Sequence, residues 1–196
     1  MLDLIRDIHN CKACVAKLPH HPNPIVQISK ESKILIVGQA PGRRVHETGI
    51  PWNDPSGNKL RNWLGVSKED FYDPTLFSIV PMGFCYPGKG KSGDLPPIPE
   101  CAKLWHQKII EEFESRPLII LIGQFAQRHY LKGIYRGNLT ETVKNYLEYL
   151  PTYFPLPHPS PRNQNWLTVN PWFSNEVLPA LKEKVDHIIL NRFPIT

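Results

Sequence analysis

The chain has 196 residues, which is the length of about one domain and is enough to bury a hydrophobic core. Hydrophobic residues make up 41% of it and charged residues 21%, a balance typical of a folded globular protein that excludes a disordered one. The formal net charge of +5 is compatible with a polyanionic partner but does not require one.

Neither a membrane span nor an export signal is predicted. The longest apolar runs, such as residues 118–122, are far shorter than a bilayer requires. Charged residues interrupt the apolar residues near the amino terminus, which is unlike a signal peptide. We therefore expect a monomer in the cytoplasm that makes no contact with a membrane.

Short apolar runs alternate with segments of helical periodicity along the chain. In the first half, the predicted elements are a helix within residues 1–16, an extended segment at 17–30, a strand at 33–37, a tight loop at 38–42, irregular chain at 43–57, a helix at 58–64 with Ser56 as its N-cap, and a strand at 76–80. In the second half, they are a Pro- and Gly-rich loop at 81–99, a helix at 100–113, a strand at 118–122, a helix through Ala126 and Tyr130, a short strand at 153–158, a loop at 158–166 and a helix at about 174–190.

The repeated order of strand, loop and helix predicts an α/β fold in a single domain over residues 1–196. We expect a three-layer sandwich, in which a central, mainly parallel four-stranded sheet carries helices on both faces. Ligands of such sheets bind beyond the carboxyl ends of the strands. The loops at 38–42, 81–99 and 158–166 all follow predicted strands, so they are the candidate site.

Four cysteines form a second pattern: Cys11 and Cys14 are separated by two residues, and Cys85 and Cys101 lie far downstream. A disulfide is disfavoured in a chain without a predicted export signal. Four thiolates from two regions of the chain suit Zn²⁺ or an iron–sulfur cluster. The alternative is four unrelated buried thiols, because free cysteine packs as a small hydrophobic residue. The spacing alone leaves both interpretations open.

Two of the loops carry recognisable motifs. The first, Gly-Gln-Ala-Pro-Gly at residues 38–42, lets a ligand approach the backbone closely because its side chains are small. It lacks the GK[ST] of a phosphate-binding loop, and a plain tight turn is the alternative. In the second, His-Pro-Ser-Pro-Arg-Asn at 158–163, two prolines fix the backbone after His158, as a catalytic side chain requires. An exposed histidine in a Pro-rich turn is the alternative there.

Together these motifs resemble those of the uracil-DNA glycosylase superfamily. GQAPG is similar to the family's first motif, and HPSPRN to its second in the form found in the single-strand-selective monofunctional uracil glycosylases. The cysteine spacing resembles the iron–sulfur branch, family 4. The resemblance implies hydrolysis of the N-glycosidic bond of a base flipped out of DNA. It also implies a [4Fe–4S] cluster, with zinc as the alternative, on four ligands: Cys11, Cys14, Cys85 and Cys101.

The resemblance also implies catalytic roles. His158 would stabilise the negative charge that grows on the leaving base, through a hydrogen bond to its carbonyl oxygen. The first motif departs from the family, because Ala40 stands where the best-known members have Asp and Gln39 where family 4 usually has Glu. The role of positioning water therefore falls to Asp54, with Gln39 as a weaker candidate and Glu47 as a third. An Asx turn is the alternative role of Asp54.

Base binding is implied for the backbone around Gly38 and Ala40. Trp52 is placed to stack on the flipped base, with Phe84 as a second candidate and core packing as the alternative for Trp52. Stacking on an aromatic ring does not choose strongly among bases. Several branches read uracil with an Asn in the stretch that corresponds to residues 80–84, and this chain has none there. Selectivity for uracil is therefore not assured.

The second-motif loop would lie at the minor groove of DNA, with the large Trp166 following it. Three polar side chains would fill the gap that the flipped base leaves: Arg162, Asn163 and Gln164. Four basic residues flank the same rim and are candidate phosphate contacts, with a solvated charged surface as the alternative: Arg43, Arg44, Lys89 and Lys91.

The leading hypothesis is a DNA glycosylase that removes uracil or another deaminated base from DNA in base excision repair. The alternative is a catalytically weak or inactive glycosylase-like protein that binds nucleic acid and carries the iron–sulfur cluster. A third hypothesis is an α/β enzyme, stapled by zinc or a cluster, that acts on a free nucleoside or nucleotide.

Overall fold

A parallel sheet forms the centre of the protein, for which a computed structural model describes residues 1–115 and 117–190. The strands are, in chain order, β1 (Ile34–Val37), β2 (Phe77–Ile79), β3 (Lys89–Gly90), β4 (Gly93–Asp94), β5 (Leu118–Ile122) and β6 (Tyr153–Leu156). Four of them form the sheet in the order β2-β1-β5-β6, and every neighbouring pair is parallel. Strands β3 and β4 form a separate antiparallel hairpin.

Nine α-helices are found in the described part of the chain: α1 (Leu2–His9), α2 (Arg43–Thr48), α3 (Pro55–Leu64), α4 (Lys68–Tyr72), α5 (Gln107–Glu111), α6 (Gln124–Tyr130), α7 (Leu139–Lys144), α8 (Gln164–Val169) and α9 (Leu178–Leu190). A π-helical turn precedes α5 at Ala102–His106, and another precedes α9 at Phe173–Val177. Short 3₁₀ turns lie at Val15–Lys17, Tyr146–Tyr149 and Pro161–Asn163. Within the two described ranges, no helix combines the length and the apolar character that crossing a bilayer demands.

Both faces of the sheet are covered, which explains why its strands are continuous apolar runs. Successive side chains of a strand point to opposite faces. Ile34 and Ile36 therefore pack on one face with α3 and α9, while Leu35 and Val37 pack on the other with α1, α5 and α6. The predicted three-layer α/β sandwich is confirmed, and its sheet is parallel throughout.

Four short helices were not predicted from the sequence, and neither was the hairpin. Helix α2 lies in the segment at 43–57 that was predicted to be irregular, α8 begins inside the predicted loop at 158–166, and α4 and α7 were not predicted at all. Each has six residues or fewer, which is too short for an apolar period to stand out. The Pro- and Gly-rich loop at 81–99 contains the hairpin of β3 and β4, whose strands of two residues show no alternation.

The N-cap of α3 was predicted wrongly. Asp54 caps this helix, because its Oδ1 accepts a hydrogen bond from the Gly57 N–H at 2.8 Å. Pro55 follows at the first helical position, where its missing N–H costs nothing. Ser56 lies inside the first turn and caps nothing, so the helix begins three residues before the predicted start at 58.

Candidate active site

A cleft of about 590 Å³ opens where the carboxyl ends of the strands meet. Residues from the loops after β1, β2, β5 and β6 all line it, as expected for a parallel sheet. The predicted catalytic and base-binding residues that lie in its walls are His158, Asp54, Gln39, Gly38, Ala40 and Trp52. The structure therefore brings these predicted residues together in one cleft.

Backbone hydrogen bonds hold the first-motif loop against the chain that follows β2. The Met82 N–H donates to the Gly38 carbonyl, and the Gly83 N–H donates to the Gln39 carbonyl, each at 2.9 Å. These bonds continue the parallel pairing of β1 with β2 beyond the ends of both strands. The backbone at residues 38 and 39 is thus positioned by the sheet edge.

The side chain of Gln39 lies against Gly123, the residue that follows β5. A Cβ at position 123 would stand 3.0 Å from Gln39 Nε2, which is tighter than ordinary contact. Gly123 also has φ near +82°, a left-handed conformation that favours glycine. Glycine at this position therefore lets the Gln39 amide remain in the lining of the cleft.

Trp52 forms one wall of the cleft and has a strained backbone. It is the one non-glycine residue with positive φ in the described part of the chain, at 55°. A Cβ at position 57 would overlap its carbonyl oxygen, and a Cβ at position 38 would lie 2.9 Å from its Cζ2. The Tyr72 hydroxyl anchors the preceding residue by donating to the Pro51 carbonyl at 2.9 Å. The surroundings of Trp52 thus hold it in a conformation that it would not adopt alone.

His158 follows β6 and faces Trp52, with the two ring centroids 5.6 Å apart. The loop after it is held by its own polar groups: Asn163 Nδ2 donates to the His158 carbonyl at 2.7 Å, and the Arg162 N–H donates to Ser160 Oγ at 3.2 Å. Burial lowers the pKa of His158 below its ordinary value, and the nearby charge of Asp54 opposes that shift in part. The imidazole is therefore neutral at pH 7 and has one N–H to donate.

Asp54 serves both the fold and the cleft. Its Oδ1 is engaged by the Gly57 N–H at the start of α3, so the turn role foreseen as the alternative is confirmed for one oxygen. The same carboxylate lines the cleft and is close enough to His158 to raise its pKa. Capping therefore leaves a negative charge in the cleft. Glu47, the third water-positioning candidate, instead pairs with the Arg43 side chain, with 2.8 Å between Arg43 Nε and Glu47 Oε1.

Two second-motif side chains that were predicted to contact DNA, Arg162 and Asn163, form hydrogen bonds within the protein. Arg162 reaches the β3–β4 hairpin, where Nη1 donates to the Ser92 carbonyl at 3.1 Å. A Cβ at position 93 would stand 2.5 Å from the same Nη1, so Gly93 is needed for this contact. Asn163 Nδ2 donates a hydrogen bond to the His158 carbonyl. Gln164 is exposed at the start of α8 and is not part of the cleft lining.

Two aromatic residues, Phe84 and Trp166, pack against the core and are not among the residues that line the cleft. Phe84 is 1% exposed and packs parallel to the His106 ring at 5.7 Å, so its ring is not accessible to a base. Trp166 packs edge-on against Phe173, and its Nε1 donates to Thr140 Oγ1 at 2.9 Å. Trp166 is therefore partly buried and packs against the core of the first sheet face.

Asp94 is a carboxylate of the cleft lining that the sequence analysis missed. The hairpin carries it to the cleft, where its Oδ1 accepts a hydrogen bond from the Tyr86 hydroxyl at 3.3 Å. The only signal in the sequence was the pair of glycines that flank Lys91 and Ser92, which is typical of a tight hairpin turn. Nothing in the sequence tells where that hairpin lies.

The four cysteines line one small apolar cavity on the other side of the Pro-rich loop. Its walls consist of Cys11, Cys14, Leu18, Pro22, Pro24, Gly83, Phe84, Cys85, Ile98 and Cys101. All four thiols are free. The Phe84 N–H points at one of them and donates to Cys101 Sγ at 3.4 Å. The four cysteines, which come from two distant regions of the sequence, are therefore neighbours in the fold.

The electrostatics of this cavity bear on what it can hold. Burial raises the pKa of Cys85 to about 11 and that of Cys101 to about 12, so binding a metal there releases protons. Within residues 1–115 and 117–190, no three His, Cys, Asp or Glu side chains are spaced to hold one metal ion. Four cysteine sulfurs in one cavity are a donor set that suits either a zinc ion or an iron–sulfur cluster.

Similarity to known proteins covers most of the chain. Residues 25–182 match the family model of the uracil DNA glycosylase superfamily. The chain belongs to this superfamily. It is 28% identical over 130 residues to the type-4 uracil-DNA glycosylase of Archaeoglobus fulgidus. That alignment covers 63% of this chain and 60% of the relative, so the chain matches less than two thirds of the relative's length.

The superfamily match includes both motifs of the cleft, at 38–42 and 158–163, and two of the cysteines. Cys11 and Cys14 lie before the first matched residue. The structure, and not the family match, therefore shows that Cys11 and Cys14 line the same cavity as Cys85 and Cys101.

Gly57→Ala tests the strained wall of the cleft. Alanine normally stabilises a helix relative to glycine, but here the new methyl group would overlap the Trp52 carbonyl oxygen. We expect a loss of about 1–3 kcal/mol in the free energy of unfolding, measured by chemical denaturation. Asn62→Ala, at an exposed position of the same helix, is the matched control and should leave stability nearly unchanged. Equal stability of Gly57→Ala and the wild type would contradict the packing described here.

Proposed function

We propose that the protein is a DNA glycosylase that hydrolyses the N-glycosidic bond of uracil or a related deaminated base in DNA. The observation that carries the proposal is the position of His158, which faces Trp52 in a cleft that also holds Asp54. The superfamily match and the relative named as a type-4 uracil-DNA glycosylase support the same reaction class. A base must leave the stack to reach such a cleft.

His158 would stabilise the leaving base. Cleavage of the bond leaves negative charge on the base, and an imidazole N–H that donates to the base's carbonyl oxygen spreads that charge. Its neutral state matters, because a second positive charge beside the sugar would oppose the positive charge that develops there. The hydrogen bond from Asn163 Nδ2 to the His158 carbonyl fixes the backbone from which the imidazole ring extends.

Asp54 would stabilise the sugar and position the attacking water. One carboxylate oxygen is committed to the Gly57 N–H, and the other is available to accept a hydrogen bond from water. A negative charge near the sugar also stabilises the positive charge of an oxocarbenium-like transition state. Gln39, held against Gly123, supplies a second polar group that orients water but cannot take its proton.

Base binding would combine stacking on Trp52 with contacts to the backbone around Gly38 and Ala40. Stacking on one aromatic ring is worth about 1–3 kcal/mol and accepts any base. With no Asn in residues 80–84, base choice depends on the shape of the cleft and on backbone groups. Hypoxanthine and xanthine are therefore substrates to test beside uracil.

The basic rim would hold the DNA backbone. Four basic residues are exposed on or beside the elements that border the cleft: Arg43, Arg44, Lys89 and Lys91. Gln164 is exposed on the second-motif side. Contacts between such side chains and phosphates release counterions, so binding should weaken as salt rises. A protein that binds DNA without releasing a base is the second candidate, favoured by the absence of an acid in the first motif.

We also propose that Cys11, Cys14, Cys85 and Cys101 hold a [4Fe–4S] cluster, with zinc as the alternative. The cluster would join the amino-terminal segment to the Pro-rich loop and take no part in hydrolysis. Its support is the shared cavity and the hydrogen bond from the Phe84 N–H to Cys101 Sγ.

His158→Ala tests the reaction. We expect the wild type to produce abasic sites in labelled oligonucleotides, single- or double-stranded, that contain uracil, hypoxanthine or xanthine. Loss of the N–H donor should lower kcat by about a hundredfold to a thousandfold. His21→Ala, at an exposed histidine outside the cleft lining, should have no effect. Retained DNA binding by a wild type that releases none of these bases would support the binding protein instead.

Asp54→Asn tests the assigned carboxylate through pH dependence. Asn caps a helix as well as Asp does, so stability should change little. The negative charge of Asp54 raises the pKa of His158, and its removal should move the acid limb of the kcat/KM profile to lower pH. At pH 8 we expect kcat to fall by about a hundredfold, because water loses its carboxylate. An unchanged kcat would overturn the role of Asp54 in positioning water.

Cys101→Ser tests the cluster. The purified wild type should be brown and contain about four irons per chain, and the variant should lose most of the iron. Ala102→Ser adds the same hydroxyl one residue later, outside the cavity lining, and should retain the iron. A colourless wild type with about one zinc per chain would refute the iron–sulfur cluster.

A further inference from the structure

A buried histidine outside the cleft lies between the cysteine cavity and the first-motif loop. His106 is 2% exposed and is the last residue of the π-helical turn that follows Cys101. Its ring packs parallel to Phe84, which lines the cysteine cavity. None of the roles proposed above uses this residue.

Both ring nitrogens of His106 have partners. Nε2 lies 3.1 Å from the Pro81 carbonyl oxygen, and Nδ1 lies 2.7 Å from the Tyr130 hydroxyl. A carbonyl oxygen only accepts, so Nε2 carries the hydrogen. Burial lowers the pKa of His106 to about 4, so the ring is neutral at pH 7 and Nδ1 accepts from Tyr130. The Tyr130 hydroxyl therefore donates to His106 Nδ1, and His106 Nε2 donates to the Pro81 carbonyl.

Pro81 begins the segment after β2 that forms one wall of the cleft. Pro81 itself lines the cleft, and Met82 and Gly83 donate to the carbonyls of Gly38 and Gln39. A proline has no N–H, so this residue cannot be tied to the sheet through its own nitrogen. Its carbonyl is held from the side by His106 instead.

We propose that His106 is a positioning residue for the glycosylase reaction. It holds the Pro81 carbonyl and, through Met82 and Gly83, sets the first-motif loop that carries Gln39. The substrate does not touch it. Its effect on turnover rests on the proposed function, but its effect on the loop does not.

Three variants and one control measure this role in the full chain. His106→Leu removes both hydrogen bonds and should lower kcat by about tenfold, with KM changed less than kcat, because the loop shifts relative to the base. His106→Gln restores a donor toward Pro81 and should recover most of that loss. Tyr130→Phe keeps the donor to Pro81 but removes the partner of Nδ1, so its effect should be smaller. Ile109→Ala, which opens a cavity in the same core cluster, should lower stability without changing kcat.

Hydrogen–deuterium exchange supplies a readout that does not depend on turnover. In His106→Leu, exchange at Met82 and Gly83 should rise more than at the other protected amides of the sheet. Ile109→Ala should raise exchange only through its lower global stability, with no selective rise at these two amides. Unchanged exchange and unchanged kcat in His106→Leu would overturn the proposal, as would a His106→Gln variant no better than His106→Leu. If His106→Leu does not fold, Tyr130→Phe and His106→Gln carry the same comparison. A wild type that cleaves no base would defeat the proposed function, while exchange at the two amides would still decide the role of His106.

Discussion

Two backbone hydrogen bonds, from the Met82 N–H to the Gly38 carbonyl and from the Gly83 N–H to the Gln39 carbonyl, fix the backbone that forms one wall of the cleft. They extend the parallel pairing past the ends of β1 and β2, so a segment that would otherwise be a free loop is fixed to the sheet edge. Bonds of this kind need no particular side chain, which explains how a motif of glycine, alanine and proline forms a wall without the pattern of a phosphate-binding loop. Trp52 and Gln39 take their places relative to this fixed backbone.

Close approach to glycine positions the side chains around the cleft. The pairs are Gly38 and Gly57 with Trp52, Gly93 with Arg162, and Gly123 with Gln39. In each pair a Cβ would crowd or overlap the partner, so the glycine is a steric requirement of the neighbouring residue as much as of its own backbone. The positive φ of Trp52 costs of order 1–3 kcal/mol and persists because packing around it leaves no alternative. Glycines distant in sequence thereby act together at one site.

The sequence predicts the four strands of the central sheet well because each is a largely apolar run that is followed by turn residues. Once the strands are parallel, their carboxyl ends meet at one edge, and the location of the cleft follows without any knowledge of side-chain packing. The direction of single side chains does not follow. Phe84 comes after a strand that is buried on both faces, so no alternation indicates which way it points. Asp54 and Ser56 are both good N-caps, and only the structure shows which N–H group is within reach. The hairpin that carries Asp94 was invisible because its strands have two residues each.

Contacts within the protein join the two halves of the cysteine cavity. Lys17 pairs with Glu100, and the Ile25 N–H donates to the Phe84 carbonyl at 2.9 Å. The ion pair is partly exposed and contributes little, so the backbone bond and the apolar walls carry most of that association. Burial raises the pKa of Cys85 to about 11 and that of Cys101 to about 12, so these two thiols are protonated at neutral pH. The fold therefore prepares the site and opposes the thiolate charge at the same time. A metal group that occupies it must contribute enough binding energy to expel those protons, and its retention then depends on pH as well as on the geometry of the cavity.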